Sequence, residues 1–356
     1  MRWDLFCRVV DNWGDAGVCW RLAADLAARG ESVRLWIDDP QPLTWMAPRG
    51  AERVDVVPWQ VERPAALEPQ DVVIEAFGCD PPAAFVARMA ARERPPLWIN
   101  LEYLSAEPYA EASHGLPSPQ LAGPGRGLVK WFWFPGAGAR SGGLIREPAL
   151  LEARAAFERD AWRAAHGIEA RAGERLVSLF CYRNERAPRL LDDLAGGVLG
   201  PALLLATPGH AQAIVDSWLD GAAERGALRV HRLGFMPQPE FDRLLWSCDF
   251  NVVRGEDSFV RAAWAGAPML WDIYPQHDRA HERKLDAWLA HLLDGAPEAL
   301  ASDVRALWRG WIGAAPWPAR WPDAAAWRAL AASWRDRLAA QDDLGTALLR
   351  FVASKR

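Results

Sequence analysis

Short apolar runs of strand type alternate with stretches of helical spacing from one end of the chain to the other. Residues 5–10, 33–37, 54–57, 72–76 and 97–101 form a first series of runs; 176–180, 202–206, 228–233, 250–253 and 269–271 form a second. Within a run the apolar residues follow one another instead of alternating with polar ones. Strands of that kind are covered on both faces, which argues for buried parallel sheets. The first series opens as a βαβ unit. A strand over 5–10 leads into the loop 11–17, and a helix over 18–28 follows with Val18, Leu22 and Leu26 on one face. It stops at Arg29-Gly30, before the strand 33–37.

With 356 residues the chain has room for two domains of ordinary size. We place them at 1–150 and 151–327, with a terminal helix over about 328–356 that packs back on the first. The glycine- and proline-rich stretch 113–143 reads as loop plus one strand, and 148–166 as helical. Hydrophobic residues make up 51% and charged ones 24%, as in a globular protein. The net charge is −5 and no lysine/arginine-rich run stands out, so nucleic acid is not an expected partner. Five scattered cysteines without C-x-x-C spacing fit reduced thiols in the cytoplasm. The N-terminus does not read as a signal peptide, and no apolar run is long enough to span a bilayer. The tryptophans clustered between Trp308 and Trp334 read as packing.

Residues 250–275 hold the chain's most suggestive chemistry. A strand (250–253) turns through Arg254-Gly255-Glu256-Asp257-Ser258 into a helix over 258–265, which Gly266 and Pro268 halt before the strand 269–271. Open parallel sheets bind ligands at the carboxyl ends of strands, in front of helix amino ends. Arg254, Ser258 and the helix amides suit a diphosphate. Glu256 and Asp257 suit a sugar hydroxyl, a ribose or a cationic acceptor. A second reading fits the same residues: Asp257 or Ser258 caps the helix and Arg254 pairs with Glu256. The loop 11–17 has two glycines but no G-x-G-x-x-G, and its acids Asp11 and Asp15 oppose a dinucleotide, which argues against NAD. Two carboxylates beside a glycine-rich turn suit general-base work or a cationic substrate; alternatively Asp11 ends the strand and Asp15 caps the helix. Phe180 ends a strand, and Phe235 and Phe241 flank Pro237-Gln238-Pro239, so each is either core or a pocket wall. His277 and His281, four apart, could offer two metal ligands, but with no third in view they read as a solvated helix start.

Two successive α/β domains joined by a glycine- and proline-rich stretch resemble the glycosyltransferase B architecture, two Rossmann-like domains facing across a cleft. No Asp-x-Asp occurs, which favours a leaving diphosphate held by Arg254 and helix amides instead of a metal. Four blocks make the resemblance specific: Asp11-Asn-Trp-Gly-Asp15-Ala-Gly-Val-Cys-Trp-Arg-Leu22, Phe180-Cys-Tyr182-Arg-Asn184, Gly234-Phe-Met-Pro-Gln-Pro-Glu-Phe241 and Arg254-Gly-Glu-Asp-Ser-Phe259-Val-Arg-Ala-Ala-Trp264. Together, and with 277–289 behind them, they resemble the protein-arginine rhamnosyltransferases of translation elongation factor P, the EarP family.

That resemblance implies an inverting transfer of rhamnose from dTDP-β-L-rhamnose to one arginine of elongation factor P, which activates the factor for rescue of ribosomes stalled at polyproline. No cofactor and no metal are implied. By position, Phe180, Phe235 and Phe241 would form the thymine pocket, with Gln238 at the base. Tyr182, Arg254, Asp257 and Ser258 would hold the sugar-phosphate portion, and Asn12, Trp13 and Gly14 would also contact the donor. Asp11, Asp15 and Glu256 would be the catalytic acids, in roles that the sequence does not separate. Two rivals stand beside this reading. A nucleotide-sugar epimerase of the same architecture would need no protein acceptor. A nucleotide-binding partner protein without chemistry would have no reason to set acids opposite the diphosphate.

Overall fold

The computed structural model describes residues 1–10, 13–59, 67–276 and 278–355. They divide into two compact units: Met1–Pro148 with Ala339–Arg356, and Ala149–Leu338.

The first unit is built on seven strands: β1 (Arg2–Cys7), β2 (Ser32–Ile37), β3 (Val54–Pro58), β4 (Val72–Ala76), β5 (Leu97–Leu101), β6 (Pro117–Pro119) and β7 (Val129–Trp133). Their order is β3-β2-β1-β4-β5-β7-β6. The pairings are parallel except for β6 on β7. The continuous apolar runs have a direct cause. Trp3, Leu5 and Cys7 of β1 face a core shared with Cys19, Leu22 and Leu26 of the helix Gly14–Ala28. Phe6 faces the opposite core, with Trp36, Phe85 and Met89. Successive side chains thus feed two cores, and neither parity can be polar without a partner. Asp4 is the exception, fully buried, and takes two hydrogen bonds from Arg34, one from the Trp36 indole and one from the Gln70 amide.

The second unit repeats the plan with β8 (Arg175–Leu179), β9 (Ala202–Ala206), β10 (Glu224–Arg225), β11 (Leu228–Arg232), β12 (Phe250–Arg254) and β13 (Met269–Asp272), in the order β10-β11-β9-β8-β12-β13. Only the β10–β11 pair is antiparallel. In both sheets the unit's first strand lies inside. The next parallel strands extend to one side of it and the later ones to the other. The chain therefore reverses direction of growth between β1 and β4, and again between β8 and β12. Doubly wound sheets open a ligand crevice at such a reversal, outside the carboxyl ends of the strands.

Several expected boundaries shift. β1 ends at Cys7, and its helix begins at Gly14, four residues earlier than its apolar spacing indicated. The stretch 113–143 holds two strands, and 148–166 is two helices, Leu150–Ala155 and Arg159–Ala165. The terminal segment is also two helices. Ala324–Ala339 closes the second unit, and Leu344–Ser354 packs in the first, where Leu344, Leu348 and Val352 join the core around Trp3 and Leu5. Asp343 caps that last helix, accepting from the Thr346 amide at 2.9 Å, and Arg29 clamps it at 2.7 Å. Burial pushes the neighbouring Asp25 carboxyl up to about 7 despite its contact with Arg29. The tryptophan-rich end does pack. Trp321 and Trp327 lie against Phe250, and Trp334 against Trp288 and Phe259. Among the described residues no helix is long and apolar enough to cross a membrane.

Candidate active site

The reversal point of the second sheet collects most of the residues singled out in the sequence. Phe180 and Tyr182 follow β8, Arg254 ends β12, and Phe235, Gln238 and Phe241 lie between β11 and the end of the helix Gln238–Ser247. The Arg254 guanidinium stands 4.4 Å from the Phe180 ring centre and 4.9 Å from that of Tyr182, and donates to the Cys181 carbonyl at 3.2 Å. Phe241 meets Phe180 edge-on at 5.4 Å. Phe180, Phe241, Tyr182 and Arg254 therefore form one cluster, a cation held over aromatic faces. Gln238 is buried at the start of its helix, whereas Phe235 projects from the preceding loop with 65% of its surface exposed.

The helix behind Arg254 begins at Gly255, three residues before the sequence indicated, and runs to Ala265. Gly255 takes φ +65°, a left-handed turn that lets the chain pass from strand to helix without a loop. Arg254 is the extended residue before the helix, and no side chain caps it, so neither Asp257 nor Ser258 is the cap. Glu256 and Asp257 occupy the first turn, and the Ser258 hydroxyl turns back to donate to the Arg254 carbonyl. Glu256 forms an ion pair with Lys284. The helix is fixed from two sides. Trp271 donates its indole N–H to the Gly255 carbonyl at 2.7 Å and stacks on Phe259. The fully buried Arg261 makes a two-pronged contact with Asp242 of the helix Gln238–Ser247, at 2.9 and 2.7 Å.

Sequence reading missed Asp272, at the end of β13. It is buried and accepts from the Tyr182 amide and the Asn184 side chain, both at 2.7 Å. It thereby sets the loop that presents Tyr182. Burial raises its carboxyl to about 6, against the pull of these donors and of Arg254. Its only signal in the sequence is an acid at a strand end two residues before Tyr274, whose ring meets Tyr182 at 5.5 Å.

In the first unit, Asp11 and Asn12 lie outside the described residues. Trp13 precedes the helix Gly14–Ala28 in a left-handed conformation, φ 71°, unusual for a bulky residue. Its ring lies edge-on to Trp45. Asp15 does not cap the helix. It sits in the first turn, 4% exposed, and accepts the Val10 amide at 2.9 Å, which ties the segment leaving β1 to the helix start. Across the reversal point of this sheet, Phe77 follows β4, also left-handed at φ 59°, and its ring stacks on the half-exposed Tyr103 at 4.4 Å. That aromatic pair gave no signal in the sequence.

The other candidate chemistries recede. All five cysteines are buried and unpaired, and burial pushes the thiols of Cys19, Cys79, Cys181 and Cys248 up, the last to about 12. Thiols so placed do not supply a thiolate near neutral pH. His277 lies outside the described residues. His281 is not a solvated helix start: it is buried and its Nδ1 takes the Gln276 amide at 3.0 Å. Among the described residues no group of three or more His, Cys, Asp or Glu is placed to hold a metal ion.

Two Rossmann-like α/β units, the second with a cation and a helix start at its reversal point, form the fold of the B-architecture glycosyltransferases. A solved spinosyn rhamnosyltransferase, SpnG, shares this fold over 99% of the chain and all of its own, with a TM-score of 0.55 at 15% identity. A closer match is the solved structure that gives the basis for EarP-mediated arginine glycosylation of translation elongation factor EF-P. It is 35% identical with a TM-score of 0.67, and covers 100% of this chain and 99% of that one. A protein-arginine rhamnosyltransferase of Pseudomonas putida is 47% identical over 98% of both chains. The family model described as Elongation-Factor P (EF-P) rhamnosyltransferase EarP matches residues 3–353. The chain belongs to this family, the protein-arginine rhamnosyltransferases.

Proposed function

We propose that the chain transfers L-rhamnose from dTDP-β-L-rhamnose to one arginine side chain of translation elongation factor P, with inversion at the anomeric carbon and without a metal. The observation that carries this reading is the Arg254 guanidinium, held over Phe180 and Tyr182 in front of the helix Gly255–Ala265. A cation, the positive end of a helix and flat aromatic faces together suit a thymidine diphosphate. Phe180, Phe241, Phe235 and Gln238 take the base. Tyr182, Arg254, Asp257 and Ser258 hold the sugar-diphosphate, and Asn12, Trp13 and Gly14 contribute from the first loop.

The acceptor sets the harder problem. A guanidinium stays protonated up to pH ~12 and spreads its lone pairs over three nitrogens, so it is a weak nucleophile. Carboxylates must orient it and take a proton as the bond forms. We assign Asp15 as that base, Asp11 as the group that orients the guanidinium or the first loop, and Glu256 as the contact to sugar or guanidinium. In one displacement a guanidino nitrogen bonds to C1, the C1–oxygen bond to the diphosphate breaks, the proton passes to Asp15, and dTDP leaves. The α-linked product follows from attack opposite the leaving group.

Phosphorus NMR of the reaction, with and without elongation factor P, tests the transfer, and proton–carbon NMR of the product tests the inversion. Free dTDP should accumulate only when the acceptor is present, and the anomeric carbon–hydrogen coupling of the product should be that of an α-rhamnoside. A changed sugar nucleotide in the absence of acceptor would identify an epimerase instead.

A further inference from the structure

We propose that Lys284 is a positioning residue of the donor site: its ammonium holds Glu256 and offsets its charge, so that a nucleoside diphosphate can settle at a helix start that carries two carboxylates. The inference rests on the reading of that helix start as the diphosphate site. Lys284 comes from the helix Ala280–Leu292, an element separate from both β12 and the helix behind it. Its Nζ lies 2.5 Å from Glu256 Oε1, and both side chains are about four-fifths buried. The same ammonium stands 5.9 Å from the centre of the Trp271 ring, whose N–H holds the Gly255 carbonyl. One tryptophan thus braces both the backbone of the helix start and the cation that faces its first acid.

The charges explain why a cation is needed there. The first turn presents Glu256 and Asp257 in succession. The helix dipole favours both, but it favours a diphosphate at the same place, and like charges this close repel in a partly dehydrated setting. Arg254 supplies one positive charge over the rings. Lys284 adds a second positive charge beside the first turn, set directly against Glu256. Its loss removes that charge where the leaving group must bind.

Titration of dTDP, and separately of thymidine, into the wild-type protein and three variants tests this, with thermal unfolding as a check on folding. Lys284→Met should weaken dTDP binding about tenfold, the scale of one desolvated charge pair, while thymidine binding stays the same. Lys284→Arg should restore most of the affinity. The double variant Glu256→Gln with Lys284→Met should bind dTDP within a few-fold of wild type, because the acid that Lys284 offsets is gone too. Undiminished dTDP binding by Lys284→Met would overturn the inference, as would a double variant as weak as the single one. If wild type itself failed to bind dTDP, the donor-site reading would fall first, and the inference with it.

Discussion

At the scale of single residues the site separates into groups that meet substrate and groups that hold those in place. Asp15 belongs to the first kind on our reading, yet it also ties down the Val10 amide. Asp15→Asn keeps an oxygen for that bond and loses the base. It should lower transfer by about 10²- to 10⁴-fold with dTDP affinity unchanged; normal turnover would remove Asp15 from the chemistry. Asp272 belongs to the second kind, and its carboxyl gives a pH signature. Folded, it titrates at about 6; unfolded, near 4. Between those values the folded protein keeps a proton that the unfolded chain has lost, so stability falls as pH rises through this window. Relative to Asp272→Asn, wild type should lose up to about 3 kcal/mol between pH 4 and 7 in thermal unfolding. A difference that does not vary with pH would show that the carboxyl is not raised. Residue types such as Arg254, Phe180 and Asp15 could be picked out from the sequence because their positions relative to strand ends were readable. Asp272 could not, since nothing local tells a strand-end acid that it will be buried under a loop ninety residues earlier.

Among elements, the helix Gly255–Ala265 decides most. Its start was misplaced in the sequence because glycine was read as part of a turn, whereas Gly255 supplies the left-handed residue that removes the turn. Gly255→Ala should cost about 1–2 kcal/mol in stability. The added Cβ would meet the Tyr182 hydroxyl at 3.4 Å, an ordinary contact, so the cost comes from the left-handed backbone and not from a clash; denaturant unfolding reads it. The contact between Arg261 and Asp242 couples this helix to the one that carries Gln238 and Phe241. Arg261→Met removes the guanidinium that pairs with the buried Asp242 carboxylate and should destabilise the protein by about 3–5 kcal/mol, read by denaturant unfolding. Stability within 1 kcal/mol of wild type would mean that the two helices hold together by apolar packing alone. The role of Arg261 is not legible in the sequence, because Asp242 lies nineteen residues away on a separate helix.

Over the whole molecule, the continuous apolar runs announced parallel sheets, and their falling into two series on a chain of 356 residues announced two units. The order of strands was not legible, because periodicity reports which faces are buried and not which neighbour each strand takes. The return of the chain end to the first unit was anticipated only as one helix. The break falls where Asp343 can cap a new helix and meet Arg29. Loss of that cap in Asp343→Ala should destabilise the protein by about 1–2 kcal/mol in thermal unfolding. The central claim is that this chain moves one rhamnose onto one arginine of elongation factor P. Intact-mass spectrometry of that factor, incubated with the protein and dTDP-β-L-rhamnose in the presence of a chelator, tests it most directly. The account predicts a gain of one deoxyhexose, mapped by fragmentation to a single arginine. An unchanged mass, with dTDP-rhamnose still bound by the protein, would contradict it and leave only the donor site standing.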